Sequence, residues 1–202
     1  MGKTLKETYE QSFDELHVLM VDQYEALQTS TSDMKKKRED MNSEMKDCLI
    51  EAYLVGAFTG ERQLYGSDSK DLHTEVDTKS LTKLIFKKFD GKSVKDRFDE
   101  YVDANDSALL IRVADTEIHR LMNAGTMEAA KQYAKSTGSS VSKEWVTMGD
   151  EKVRDTHYYL EGVTVGLNDE FYTDDGDHAT CPGGFSTPEN NVNCRCFLSL
   201  HK

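Results

Sequence analysis

Cysteine and histidine residues near the end of the chain are the ones best suited to bind a metal. Three of the four cysteines are Cys181, Cys194 and Cys196. Together with a neutral imidazole from His157, their thiolates would make a closed Cys3His tetrahedral site, a coordination typical of structural zinc. A zinc ion would stabilise a module of about sixty residues, which is too small and loop-rich to be held by apolar burial alone.

The sequence leaves the ligand set open. His178 and His201 compete with His157 for the fourth position. The Cys-x-Cys pair is also compatible with reduced, buried thiols or with a disulfide. In a cytoplasm cysteines are usually reduced, which favours a metal site or packed thiols over the disulfide.

Asp150, Arg154 and His157 form a second group of chemically capable side chains. Their spacing of four and three residues predicts that they share one face of a helix. One interpretation is an exposed Asp–Arg pair, with His157 capping or packing. The other is an inward-facing set in which Arg154 pairs with a carboxylate. A metal-dependent nuclease or other hydrolase using His157 and Asp150 is the enzymatic alternative. No P-loop, Gly-x-Ser-x-Gly or His-Glu-x-x-His motif supports it, so a non-enzymatic role is preferred.

Charge and hydropathy limit the partners. The net charge of -12 would repel nucleic acid phosphates unless basic residues cluster locally. No apolar run approaches the roughly 18–20 residues needed to cross a bilayer. The first seven residues lack the apolar core of a signal peptide. We therefore expect a soluble protein that is made in a cytoplasm and has no membrane partner.

Helical patterning dominates the first 138 residues. Apolar residues recur every three or four positions through the first 66 residues, with a polar break at 29–33. Gly56 and Gly60 are predicted to permit close helix packing, and Cys48 is predicted to be a buried thiol. Further helices are predicted over 81–89, from an N-cap at Ser93 to Tyr101, over 109–125, and separately near 127–135.

The character of the sequence changes after residue 138. Strands are predicted over 141–146, 163–165, 170–172 and 196–200, with a short helix over 150–160. The predicted fold class is therefore α+β. It has a mostly helical N-terminal body over residues 1–138, followed over 139–202 by a small α+β module with a short antiparallel sheet.

The residues of this module resemble a known family, the minor head or head morphogenesis proteins of tailed bacteriophages (the Mu F-like, SPP1-type group). The order and spacing agree at Lys143, Trp145, Asp150, Val153-Arg154, His157, Leu160, Gly162, Glu170-Phe171, Pro182-Gly183 and Asn193-Cys194-Arg195-Cys196. Upstream, residues 117–125 are similar to the family's preceding helix, so the likeness covers roughly residues 80–200.

The resemblance implies a minor capsid protein that acts in head morphogenesis at the portal vertex. Its implied location is the virion, after assembly in the host cytoplasm. Its implied partners are the portal protein, the major capsid protein or both, with any association with packaged DNA being indirect. Some members leave the head with the DNA, and others carry toxin domains. Because the sequence ends at Lys202, we expect no such domain here. The N-terminal helices are predicted to dock onto the partner through exposed apolar stripes, and the signature residues to maintain the module's fold.

Overall fold

A computed structural model describes residues 4–29, 34–66, 72–104 and 106–202. Within these residues, the N-terminal body has five helices, which are α1 (Leu5–Thr29), α2 (Met34–Tyr65), α3 (Thr78–Ile85), α4 (Val94–Asp103) and α5 (Ser107–Thr137). The helical prediction for this half is confirmed. Most of the predicted break at 29–33 lies outside the described residues.

The long helices α2 and α5 form the centre of the body because glycine lets their backbones meet. A Cβ atom on Gly56 of α2 would lie 1.9 Å from the backbone oxygen of Met122 on α5. The reverse contact is equally close, since a Cβ on Gly125 would lie 2.0 Å from the backbone oxygen of Tyr53. Gly60 has looser contacts, starting at 3.1 Å. The predicted role of glycine in helix packing is therefore confirmed.

Helix α1 packs its apolar face into the same core. Tyr9 and Leu16 are buried, as are Met45 and Cys48 on α2, and all four belong to one cluster with residues of α5. The prediction of a buried Cys48 thiol is thus confirmed. The described part of the apolar stripe is covered by other helices rather than exposed, which corrects the expectation that it is open for docking.

Two short helices begin at well-formed caps. Ser93 and Asp96 make a reciprocal capping box at the start of α4, as the sequence predicted from Ser93. Asp77 accepts hydrogen bonds from the first turn of α3. The prediction of two helices over 109–125 and 127–135 was wrong, because α5 runs unbroken through Gly125. The glycine costs helix propensity, but its contact with α2 fixes the conformation.

The module begins after Gly138, which ends α5 in the left-handed conformation with φ 70°. Strand β1 (Ser142–Val146) lies between β2 (Thr164–Gly166) and β5 (Phe197–His201) in an antiparallel sheet. Strands β3 (Phe171–Tyr172) and β4 (His178–Ala179) form a separate two-stranded ribbon. This arrangement confirms the α+β fold class.

The short helices of the module are α6 (Asp155–Tyr158) and α7 (Pro188–Asn191). The predicted helix over 150–160 was wrong in extent, because only one turn forms. Residues 150–153 make turns and bends before it. Body and module share buried clusters, since Met148 and Phe197 join the main helical core and Met127 of α5 joins the core of the module.

Candidate functional site

His157 meets the two cysteines of the Cys-x-Cys pair inside the module. The sulfur atoms of Cys194 and Cys196 each lie 3.6 Å from Nδ1 of His157. Within the described residues, these three form the one group of His, Cys, Asp and Glu ligand atoms that lie close together, all within 4.8 Å of one another. The histidine comes from α6 and the cysteines from the segment that leads into β5.

Aromatic rings enclose the histidine. The Trp145 and Phe185 ring centroids each lie 5.3 Å from that of His157. His157, Cys194 and Cys196 are all buried. The cavity that they help to line measures about 10 Å³, which is the space for about one water molecule. The space beside these three side chains is therefore sufficient for a small ligand.

A hydrogen bond between the thiols of Cys194 and Cys196 shifts their pKa values in opposite directions. A hydrogen bond from Cys196, supplemented by one with His157, holds the pKa of Cys194 well below its usual range despite burial. The same interaction raises the pKa of Cys196. A thiolate therefore forms more readily at Cys194, and a thiolate is the form that binds metal.

The other predicted ligands lie elsewhere. Cys181 is not part of the group around His157, and it packs at the edge of the module's core. Burial raises the pKa of its thiol. His178 lies 3.1 Å from a carboxylate oxygen of Glu170, and His201 pairs with Glu144. The structure thus brings together three of the four expected ligands.

Asp150 pairs with Arg195 rather than Arg154. Its two carboxylate oxygens accept hydrogen bonds of 2.6 and 2.7 Å from the Arg195 guanidinium. That interaction holds the pKa of Asp150 below its usual range. The expected single helical face of Asp150, Arg154 and His157 does not form, because residue 150 precedes the helix. The hydrolase alternative placed Asp150 with His157, and the carboxylate is not in the group of ligand atoms around His157.

Arg154 instead joins two loops of the module. It stands at the N-cap of α6, and its guanidinium donates to the backbone carbonyls of Glu189 and Val192. These contacts tie α6 to the end of α7. The expected pairing of Arg154 with a carboxylate is replaced by this carbonyl bridge.

Lys143 and Trp145 point to the same side of β1 because side chains alternate along a strand. Both are buried. Nζ of Lys143 donates to the carbonyl of Leu167 at 2.8 Å and lies over the Phe171 ring. Burial lowers the pKa of Lys143. Trp145 and Lys143 therefore shape the core of the module.

Three signature positions have left-handed backbone. Gly162 and Gly183 have φ of 73° and 80°, and Asn193 has φ of 57°. A Cβ on Gly183 would also come within 2.9 Å of the Cα of Arg120 on α5. These positions set tight turns, and Gly183 allows the module to approach the body closely.

Asp177 organises the long loop before α7, and the sequence analysis did not identify this residue. Its carboxylate accepts hydrogen bonds from the backbone and hydroxyl groups of Ser186 and Thr187 and from the Asn190 amide. Burial opposes ionisation, but these hydrogen bonds outweigh it and hold the pKa of Asp177 far below its usual range. The one available signal was the turn-forming Asp175-Gly176-Asp177.

A buried polar network between body and module was also missed. Asn123 on α5 donates to the backbone oxygen of Cys196 at 3.0 Å and to the hydroxyl of Tyr9 at 3.3 Å. That hydroxyl lies 2.9 Å from Nδ1 of His119. Burial lowers the pKa of His119 to about 3, so this imidazole is neutral at physiological pH.

Comparison with known proteins gives a family match that spans the signature residues. The family model described as Phage Mu protein F like protein matches residues 69–199. The chain belongs to this family. The match begins in the body and includes the whole site, so it extends beyond the small module.

Two curated relatives match part of the chain. The minor head protein GP7 of Bacillus phage SPP1 is 33% identical over 85 residues, which are 42% of this chain and 27% of the relative. The NAD(+)–arginine ADP-ribosyltransferase EFV of Enterococcus faecalis is 35% identical over 86 residues, 43% of this chain and 17% of the relative. The chain thus spans about a quarter or less of either protein. No solved structure gives a significant match.

The family match and the similarity to a minor head protein indicate a phage head protein. Among the described helices, none combines the length and hydropathy that a membrane span requires.

Proposed function

We propose that this protein is a minor capsid protein that acts in head morphogenesis by associating with the portal vertex. The observation that supports the proposal is the family match over residues 69–199, which includes every signature residue of the site. The similarity to a minor head protein supports a low-copy role. In this proposal the module is a rigid scaffold and the helices α1 and α2 carry the contact with the partner.

The exposed positions that the structure describes on α1 and α2 are suited to a basic partner. Exposed positions recur at helical spacing, at Glu7, Gln11, Asp14, Glu15, Val18 and Asp22 on α1 and at Lys36, Glu39, Asp40, Ser43, Asp47 and Glu51 on α2. Among these described positions, acidic residues make up four of the six on each helix, against a single lysine, Lys36, which belongs to the basic run 35–38 of the sequence. Because the described part of the apolar stripes of these helices is packed into the body, electrostatic complementarity is the better basis for recognition.

The direct test is binding to the portal protein of the same phage. We expect the purified chain to comigrate with portal oligomers in size-exclusion chromatography, with binding that weakens as salt rises. The charge reversals D40K/D47K on α2 should reduce binding severalfold. The matched control E151K/D174K makes the same charge change on exposed residues of the module and should bind as the wild type does.

Three results would count against the proposal. One is binding to the major capsid protein but not to the portal. Another is an equal loss of binding with both double variants, which would indicate a non-specific charge effect. The third is absence of the chain from purified particles in mass spectrometry. Comparing particles before and after DNA release would also show whether the protein leaves with the DNA.

A further inference from the structure

We propose that His157, Cys194 and Cys196 bind one zinc ion as a three-residue site, with water rather than Cys181 in the fourth position. The proposal concerns the interior of the module and is independent of portal binding. The cavity beside the three side chains has room for about one water molecule, which is the space that the fourth ligand needs.

The distances around the imidazole favour a shared metal over hydrogen bonds alone. Both sulfur atoms lie at the same distance, 3.6 Å, from Nδ1 of His157. A ring nitrogen carries either one hydrogen or one lone pair, so it makes one linear hydrogen bond and not two. A metal placed between the three atoms accounts for both contacts.

The lengths agree with tetrahedral zinc. Zinc–sulfur bonds of about 2.3 Å and zinc–nitrogen bonds of about 2.0–2.1 Å at tetrahedral angles separate the nitrogen and sulfur atoms by about 3.5 Å. The distance between Nδ1 of His157 and either sulfur is 3.6 Å. Soft thiolates with an imidazole select zinc over magnesium or calcium, which prefer oxygen ligands.

Packing holds the histidine in position for this role. The imidazole packs against the rings of Trp145 and Phe185, which also contact each other, and Nδ1 faces the two sulfurs. Nε2 on the other side of the ring is buried, with no hydrogen-bond partner among the described residues. Two thiolates and a zinc ion sum to zero charge, so the buried site would be electrically balanced.

Such an ion would cross-link elements that are short on their own. Helix α6 is one turn long, and the cysteines precede the five-residue strand β5. In a small module, metal binding adds directly to the free energy of folding. The zinc would join α6 to the sheet at the point where Asn123 of the body contacts the backbone of Cys196.

Metal analysis of the full chain, purified under reducing conditions with zinc present, tests the ligand set. We expect about one zinc per chain. H157N, C194S and C196S should each lose it. C48S, which removes a buried thiol, and C181S, which removes a half-buried one, are the controls, and both should retain the zinc. Loss of zinc in C181S but not in C48S would overturn the three-residue assignment in favour of Cys3His.

A measurement on the wild type covers the case in which the variants do not fold. Cobalt substituted for zinc should give the intense visible bands of a tetrahedral site together with thiolate charge-transfer absorption. Chelation should expose Cys194 and Cys196 to alkylation and lower the thermal midpoint. Zinc added back before the alkylating agent should restore both the protection and the midpoint. A metal-free, folded wild type in which Cys194 and Cys196 are both free thiols would refute the proposal. A mass lower by two hydrogens, mapped to a Cys194–Cys196 disulfide, would refute it equally.

Discussion

The side-chain amide of Asn123 donates a hydrogen bond of 3.0 Å to the backbone carbonyl of Cys196. This contact joins the centre of α5 to the cysteine segment of the module across 73 residues of sequence. The same amide contacts the Tyr9 hydroxyl and the His119 carbonyl, so three separate parts of the chain meet there. The module is therefore fixed to the body by buried polar groups as well as by apolar packing.

Asn123→Asp should destabilise the whole protein. It replaces a buried donor by an acceptor that faces the Cys196 carbonyl, and an unpaired buried charge or unsatisfied carbonyl costs about 3 kcal/mol or more. Urea unfolding would measure the loss. Gln132→Glu makes the same chemical change at an exposed amide that bonds to Glu75, and it should cost far less. Equal losses from the two changes would contradict the assigned role of Asn123.

Alanine at Gly56 or Gly125 should separate α2 from α5. The added methyl groups would meet backbone oxygens at 1.9 and 2.0 Å, so the helices must move apart. Overpacking costs about 1–3 kcal/mol, and more where the obstacle is backbone. Gly60→Ala is the graded control, since its nearest contact is 3.1 Å. Thermal unfolding should rank Gly60→Ala as the mildest; a reversed order would show that helix propensity dominates.

Helices with regular apolar spacing could be predicted from the sequence. The positions at which helices end or continue could not. Apolar spacing located α1 and α2, and the Ser93 cap located the start of α4. Gly125 suggested an end to a helix, yet α5 continues because α2 covers the glycine. Such tertiary compensation is invisible to a local pattern. The same limit explains residues 150–153, where the Asp150–Arg195 pair replaces helix formation.

The sequence predicted which residues belong to the site. It did not predict which of them contact one another. Residue type and spacing identified His157, Cys194 and Cys196, which the structure places together. The spacing did not reveal that Cys181 lies apart from them, because two loops intervene between it and Cys194. Asp177 was missed because a single aspartate in a polar loop has no periodic signal. Only the folded loop brings Ser186 and Thr187 to it.

Glu117→Gln should be strongly destabilising. Its buried carboxylate lies 2.6 Å from the Arg120 guanidinium and 3.5 Å from that of Arg97. Removing one partner of a buried pair leaves an uncompensated charge, which costs about 3–5 kcal/mol. Asp99→Asn breaks the exposed Lys95–Asp99 pair and should change stability by less than about 0.5 kcal/mol. Chemical denaturation of both variants tests this contrast, and similar effects would contradict it.

Asp177→Asn should lower stability at neutral pH, and the deficit should shrink in acid. Five hydrogen bonds from Ser186, Thr187 and Asn190 stabilise the carboxylate and depress its pKa. Because the folded pKa lies below the unfolded one, the stabilisation is present above the unfolded value. It is lost as pH falls through about 4 towards the folded value.

The expected loss at pH near 7 is about 1–3 kcal/mol, typical of hydrogen bonds to a charged group. Urea unfolding of the wild type and Asp177→Asn at neutral pH and below about pH 4 measures the difference. Asp174→Asn, a charge-matched change at an exposed neighbour, should leave the acid dependence of the wild type intact. A deficit that persists unchanged in acid would show that Asp177 acts through its shape and not through its charge.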